Sequence, residues 1–271
     1  MEERVSVTIS DGVADVRLVR ADKMNALDAA MFEALVATSE RLAHEKGVRA
    51  VVLSGEGRSF CAGLDMGRFA AMKEKGGIGV AGGEERDLAR RTHGLANFPQ
   101  QAVWGWRQLP VPVIAAIQGV AFGGGFQLAL GADMRFLSPD ARMSIMEIKW
   151  GLVPDMAGTP ILASLVRDDI LRELTYTGRI FSAQEALSYG LATRICDDPR
   201  ATALEVAREI AGKSPDAIRA AKRLLNNLSV DPGPALSAES VEQMKLMGSA
   251  NQLEAVRANI DKRPPRFADV G

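Results

Sequence analysis

Three consecutive glycines, Gly123, Gly124 and Gly125, follow a strand-like apolar run at 113–117. Glycines cost backbone entropy inside helices and strands, so three together indicate backbone that takes a positive φ or approaches another group closely. A helix-like run begins directly after them, and the first N–H groups of a helix have no partner within it. The turn could therefore bind a phosphate or stabilise an oxyanion during a reaction. A tight turn without a ligand is the alternative.

A second small-residue turn lies at 61–65 and follows another strand-like run, 50–53. Two turns that each follow a strand could each offer one backbone N–H to the same oxygen atom. An oxyanion hole can be built in this way from main-chain groups alone.

Two carboxylates stand close together in the stretch 146–159, where Asp155 follows Glu147 by eight residues. Two carboxylates beside a buried site would titrate apart, because burial and the neighbouring charge raise the pKa of one of them. One could then remove a proton and the other could return it. The alternatives are that Glu147 bonds structural backbone groups and that Asp155 stabilises a turn after Pro154.

Four motifs occur in order along the chain: Asn-Ala-Leu at 25–27, Phe-Cys-Ala-Gly-x-Asp at 60–65, the triple glycine, and Gly-Leu-x-Pro-x-x-x-Gly-Thr at 151–159. Each is modest alone, but the ordered set resembles the crotonase superfamily, which includes enoyl-CoA hydratases and isomerases. The resemblance covers essentially the whole chain. It implies an α/β fold in which ββα units form a spiral core.

The resemblance also implies how the chain is organised and what it binds. Residues 1–196 would form the acyl-CoA-binding, catalytic core, and residues 197–271 a helical C-terminal region that assembles a homotrimer, often paired into a hexamer. The thioester carbonyl of an acyl-CoA would be held by the backbone N–H groups of Leu64 and Gly124. We expect no metal and no separate cofactor, because coenzyme A is part of the substrate.

One departure from the family pattern bears on the reaction. Hydratases of this family use two glutamates, and Glu147 occupies the second position, whereas the first holds Gln127, which cannot exchange a proton at useful pH. The Glu147–Asp155 spacing resembles that of dienoyl-CoA isomerases, although the aspartate that these enzymes carry near the position of Gln127 is absent. The pattern favours isomerisation over ordinary hydration, with Glu147 and Asp155 as the proton-transferring pair and Gln127 as a neutral hydrogen-bonding neighbour. Thioester hydrolysis, dehalogenation and acyl-CoA binding without catalysis are the alternatives.

The resemblance supplies further candidate contacts with substrate and CoA: Lys23, Ala62, Gly63, Asp65, Gln127, Lys262 and Phe267. Lys23 and Lys262 would meet phosphates, backbone around Ala62 would contact adenine, and the tail residues would reach CoA partly across a subunit boundary. Asp65 is more typical of a turn stabiliser than of a catalyst. Four methionines near the motifs could line an adaptable acyl pocket: Met66, Met143, Met146 and Met156.

Composition excludes several classes of protein. The 271 residues carry a net charge of −1, so the balance does not suggest nucleic acid or anionic membrane as a partner. No apolar run approaches the ~20 residues that span a bilayer. A strand pattern begins at Val5, which leaves no room for a signal peptide, and two cysteines are too few for a disulfide framework. We therefore expect a reduced, cytoplasmic setting.

Hydrophobic periodicity and turn residues predict the elements that position these motifs. We expect a hairpin at 5–9 and 13–18, a helix at 27–46, and strands at 50–53, 111–117 and 134–137. A capping box at Ser182 and an N-cap at Ser214 should each begin a helix. Two further expectations are a mobile loop within 67–110, centred on the glycine pairs at 76–77 and 82–83, and one long helix at 234–260.

Overall fold

The computed structural model describes residues 3–65, 67, 88–228 and 249–269. Six strands form the main sheet in the order β1-β2-β3-β4-β6-β9, and three form a smaller sheet in the order β5-β7-β8. The main-sheet strands are β1 Val5–Ser10, β2 Val13–Leu18, β3 Ala50–Gly55, β4 Val113–Ile117, β6 Met134–Leu137 and β9 Arg194–Ile195. The smaller sheet contains β5 Val120–Phe122, β7 Arg142–Ser144 and β8 Phe181–Ser182.

Nine helices surround the sheets in the described ranges. They are α1 Ala29–His44, α2 Phe98–Gln108, α3 Gly124–Leu130, α4 Gly158–Leu162, α5 Asp168–Thr177, α6 Ala183–Ser188, α7 Pro199–Ala211, α8 Pro215–Asn226 and α9 Ala250–Asp261. Two short 3-10 helices, Ala21–Lys23 and Glu147–Trp150, contribute residues to the pocket that is described below. No helix in these ranges is long and apolar enough to cross a membrane.

The main sheet is buried on both faces, as its mostly parallel pairing requires. Alternate residues of each strand therefore belong to different parts of the core. Val51 and Leu53 point into the larger apolar cluster, whereas Val52 and Ile114 pack on the other face beneath α7. The α7 side of that contact is made of alanines, and their small side chains allow close approach of the helix to the sheet.

Parallel pairing also brings the chemically interesting turns together. Strands β3 and β4 run side by side, so their carboxyl ends lie at the same edge of the sheet. In the smaller sheet, Phe122 of β5 pairs with Ser144 of β7, and the Gly123 N–H donates to the Ser144 carbonyl at 3.0 Å. The glycine turn after β5 and the 3-10 helix that begins at Glu147 therefore start from one place.

Most of the predicted elements are confirmed. The hairpin forms in antiparallel register, the helix predicted at 27–46 runs from Ala29 to His44, and both hydrogen bonds of the Ser182 capping box are present. The N-cap prediction at Ser214 is confirmed, since the helix begins at Pro215 with Ser214 at the N-cap position, although the Ser214 side chain makes no capping hydrogen bond. The glycine pairs at 76–83 and most of the predicted helix at 234–260 lie outside the described residues.

A buried ion pair fastens the C-terminal helices to the core. Lys222 of α8 donates to Asp133 at 2.8 Å and to the Val111 carbonyl at 2.7 Å. Burial lowers the pKa of Lys222, and the facing carboxylate opposes that effect. The pair ties α8 to the segments that directly precede β4 and β6.

Candidate active site

The glycine turn, the 61–65 turn and the stretch after Glu147 open onto one pocket of about 720 Å³. Apolar side chains form much of its wall, together with four carboxylates, one lysine ammonium group and one amide. The residues used below are Leu27, Phe32, Leu64, Gly124, Gln127, Met146, Glu147, Trp150, Asp155 and Met156.

The two turns are in direct backbone contact. Cys61 donates its N–H to the Val120 carbonyl at 3.0 Å and accepts from the Phe122 N–H at 3.1 Å. A Cβ on Gly125 would lie 2.3 Å from the Cys61 oxygen, and one on Gly63 would lie 2.4 Å from the Phe122 oxygen. Both positions therefore require glycine for close approach, and Gly63 also has a φ of +88°.

The backbone N–H groups of Leu64 and Gly124 take no part in the hydrogen bonds that join the two turns. The Leu27 N–H donates to the Gly63 carbonyl and the Asp65 N–H donates to the Leu27 carbonyl, so the residues on both sides of Leu64 are engaged. Neither the Leu64 nor the Gly124 N–H has an acceptor among the described residues. The position of a Cβ on Gly63 is only 3.7 Å from the Gly124 nitrogen, so the two free amides border the same space.

Asn25 and Arg20 fix the turn that carries Leu64. The fully buried Asn25 has a φ of +55° and donates its side-chain amide to the Ser59 carbonyl at 2.9 Å. Arg20 bridges the Ala26 carbonyl at 3.0 Å and the Asp65 carboxylate at 2.5 Å. The Asn-Ala-Leu motif pointed to this segment, but nothing in the sequence indicated that Arg20 pairs with Asp65.

Glu147 is buried, with 9% of its surface exposed. Its Oε1 accepts a hydrogen bond from Gln127 Nε2 at 2.6 Å, and its Oε2 has no partner in the part of the chain that the structure describes. Burial raises the pKa of Glu147, and the charge of Asp155 raises it further against the opposing hydrogen bonds. The carboxyl group therefore has a pKa above the ordinary glutamate range and one oxygen that accepts no hydrogen bond from the described residues.

Both polar atoms of the Gln127 side-chain amide are hydrogen-bonded to other residues of the protein. Its Oε1 accepts from the Met156 N–H at 2.9 Å and from the Gly158 N–H at 3.1 Å, while its Nε2 donates to Glu147. The side chain lines the pocket yet is almost fully buried. Its bonds to the protein thus determine its orientation.

Asp155 lies at the edge of the pocket, where it keeps access to solvent. The surrounding protein removes part of the hydration of its carboxylate and so raises its pKa. It forms no ion pair with a residue in the described ranges. Glu147 and Asp155 are close enough for their charges to interact across the pocket.

The other predicted contacts divide into two groups. Lys23, Ala62, Gly63 and Asp65 line the pocket, and Asp65 Oδ1 accepts from the Gly67 N–H as a turn stabiliser would. Lys262 and Phe267 do not line it within one chain. The Phe267 carbonyl instead accepts from Arg49, which precedes β3 and so lies at the opposite end of that strand from the 61–65 turn.

Two of the four methionines face the pocket, namely Met146 and Met156. Met143 does not, because it lies in the middle of β7 and packs in the large apolar cluster. The position of Met66 is outside the described residues.

Comparison with known proteins identifies the family. The family model for enoyl-CoA hydratase/isomerase matches residues 8–270. The chain belongs to the enoyl-CoA hydratase/isomerase family. A carnitinyl-CoA dehydratase of Proteus mirabilis is 33% identical, with 98% of this chain and 99% of the relative covered, and a probable enoyl-CoA hydratase of Bacillus subtilis is 31% identical, with 97% and 98% covered.

A solved structure of an enoyl-CoA hydratase from Bacillus anthracis has a TM-score of 0.85 at 32% identity and covers 98% of this chain and 99% of that chain. The expected crotonase-type α/β fold with a helical C-terminal region is therefore confirmed. For a member of the enoyl-CoA hydratase/isomerase family, an acyl-CoA is the consistent substrate. The pocket offers such a molecule two free amides, one buried carboxyl group and a second carboxyl group at its edge.

Proposed function

We propose that this protein isomerises the double bond of an enoyl-CoA through a thioester enolate. One observation carries the proposal: a buried glutamate with one oxygen that no described residue contacts through a hydrogen bond shares a pocket with two backbone amides that likewise have no acceptor in the described ranges. The amides of Leu64 and Gly124 would donate to the thioester oxygen. Fixed donors aimed at a developing oxyanion need no reorganisation, and each is worth about 2.7–4 kcal/mol of barrier.

In the proposed reaction, Glu147 Oε2 takes a proton from a carbon next to the double bond, and the electron pair moves onto the thioester oxygen. Collapse of the enolate restores the thioester carbonyl and forms the shifted double bond, while Asp155, protonated at the start, delivers its proton further along the acyl chain. Exchange with solvent then removes the proton from Glu147 and restores that of Asp155. The raised pKa values of both groups suit proton exchange with carbon, because each carboxyl can hold a proton nearer to neutral pH.

Gln127 supports isomerisation rather than hydration. Water addition in this family is expected to use a carboxylate on each side of the water, and here one of those positions carries an amide bonded entirely to protein. Hydration is the second candidate, since the relatives include a probable enoyl-CoA hydratase and a carnitinyl-CoA dehydratase.

Substrate binding and assembly complete the proposal. Lys23 and the backbone at Ala62 would meet the CoA phosphates and adenine at the pocket, and Lys262 and Phe267 would reach the CoA of a neighbouring subunit. A homotrimer or hexamer is supported by exposed apolar side chains on and beside α8 and α9, namely Leu225, Leu228, Leu253 and Val256. We place the enzyme in the cytoplasm, where free Cys61 and Cys196 would remain reduced.

Three substrates decide between the two reactions. The purified protein is incubated with a 2-enoyl-CoA, a 3-enoyl-CoA and a 3,5-dienoyl-CoA while ultraviolet absorbance is followed. Isomerisation predicts conversion of the 3-enoyl or dienoyl ester, with Glu147→Gln inactive and the exposed Glu33→Gln unchanged. Loss of absorbance from the 2-enoyl ester alone would establish hydration instead, and tight CoA binding without any turnover would overturn both.

A further inference from the structure

We propose that Gln127 is a positioning residue that selects Oε2 of Glu147 as the single oxygen that exchanges the proton. The inference rests on the proposed function of the pocket. It assigns Gln127 no contact with the reacting atoms, since the residue acts through the carboxylate to which it is bonded.

The orientation of the Gln127 amide is determined by its neighbours. Its Oε1 accepts from two backbone donors, Met156 N–H and Gly158 N–H. Turning the amide over would place its NH₂ group against both donors and its oxygen against the Glu147 carboxylate. The observed orientation is therefore the one in which every facing pair is donor to acceptor.

The fixed orientation of the Gln127 amide has a direct consequence for Glu147. Because Nε2 must face the carboxylate, Oε1 is permanently engaged at 2.6 Å and lies on the side of Gly123, where a Cβ would come within 3.5 Å of it. Oε2 has no partner in the described ranges. Of the two oxygens, Oε2 therefore keeps its hydrogen-bonding capacity for a proton of the acyl chain, and the hydrogen bond to Oε1 fixes where it lies.

Because the Gln127 amide carries no charge, it also leaves Glu147 able to ionise and to act as the base. Burial favours the protonated form of Glu147, and the Gln127 N–H favours the ionised form. A glutamate at position 127 could accept the same two backbone N–H groups, but its other oxygen would then face Glu147 Oε1 at about the present 2.6 Å separation. Two carboxyl groups at that distance must share one proton.

The test compares three variants by kinetics and by titration. Gln127→Glu converts the pair into two carboxyl groups, and Gln127→Met keeps the side-chain length without donor or acceptor. Gly158→Ala places a methyl group 2.7 Å from Gln127 Oε1. It therefore disturbs the hydrogen bonds that orient the Gln127 amide while the Glu147 side chain stays unsubstituted. The exposed Gln184→Glu serves as the control for the charge change.

We expect Gln127→Glu to move the pH midpoint for ionisation of Glu147 upward by about one unit or more, the separation typical of coupled carboxyl pairs. Below that midpoint kcat should fall about tenfold while KM for the acyl-CoA stays within about twofold. Gln127→Met and Gly158→Ala should lower kcat at unchanged KM and raise the midpoint less. Gln184→Glu should leave the pH profile unchanged.

A purely structural role for Gln127 would lower thermal stability in Gln127→Met and leave the midpoint in place, and that result overturns the inference. The midpoint is also measured without substrate, by ¹³C NMR of glutamate-labelled protein, with Glu147→Gln identifying the resonance. An unmoved resonance in Gln127→Glu, which is isosteric and expected to fold, would refute the inference even if the protein turns over no enoyl-CoA. Absence of turnover with a shifted resonance would instead refute the proposed function alone.

Discussion

Gly125→Ala should damage catalysis much more than folding. The added Cβ would lie 2.3 Å from the Cys61 carbonyl oxygen, whereas ordinary contact begins at 3.4 Å. The two turns must therefore separate by about 1 Å. Because Cys61 and Gly125 lie beside Leu64 and Gly124, this separation moves one proposed donor relative to the other.

The size of the effect follows from that displacement. A shift of about 1 Å in a catalytic group can cost about 10²-fold in rate, and loss of one oxyanion donor costs about 2.7–4 kcal/mol, or roughly 10²–10³-fold. We expect kcat for the best enoyl-CoA substrate to fall by that factor. KM should change little, because CoA contacts elsewhere in the pocket remain. Steady-state kinetics and a thermal unfolding curve measure both effects.

Gly131→Ala is the matched control at the other end of α3. There the new Cβ would lie 2.6 Å from the Val103 carbonyl oxygen, so the substitution creates a similar backbone clash without touching either turn. Both variants should lose about 1–3 kcal/mol of stability from overpacking, but only Gly125→Ala should lose activity. Equal kcat values for the two variants would refute the argument that the glycine turn serves an oxyanion.

Three further predictions follow from the carboxylate and the buried ion pair. Glu147→Gln should lower kcat by about 10²–10⁴-fold with a small change in KM, as measured by steady-state kinetics, since it removes the proposed base; activity near that of the parent would exclude the assignment. The same variant should be more stable than the parent at pH 7, because a pKa raised by folding means that the ionised Glu147 destabilises the folded state above that pKa. That advantage, followed as Tm, should vanish as the pH falls below the ordinary glutamate range, and a pH-independent difference would contradict it. Lys222→Met should cost about 1.5–3 kcal/mol in denaturant unfolding, since Asp133 loses its charged partner, and the conservative Lys222→Arg should lose less.

The sequence allowed the fold and the two turns to be predicted because their signals are local. A positive φ at Gly63 and Gly123 and the close approach at Gly125 are backbone requirements that glycine satisfies, so their presence marked the turns directly. The strands β3 and β4 were predicted from the apolar runs at 50–53 and 111–117. The helix that begins after Ser182 was predictable from the capping box that Ser182 forms with Glu185.

Contacts between segments that are far apart in the chain could not be predicted from the sequence. Gln127 was expected to be a substrate contact or a neutral neighbour, and its bonds to Met156 and Gly158 depend on how α3 meets the stretch before α4. The pairing of Arg20 with Asp65 and of Lys222 with Asp133 likewise joins segments far apart in the chain. No periodicity or motif specifies which of several charges will meet in a folded core.

The most direct test of the account is a crystal structure with a bound, unreactive acyl-CoA analogue. The thioester oxygen should lie about 2.7–3.1 Å from the nitrogens of both Leu64 and Gly124, with Glu147 Oε2 facing the acyl carbon beside the carbonyl. A thioester oxygen bonded to neither nitrogen, or to only one of them, would contradict the central claim.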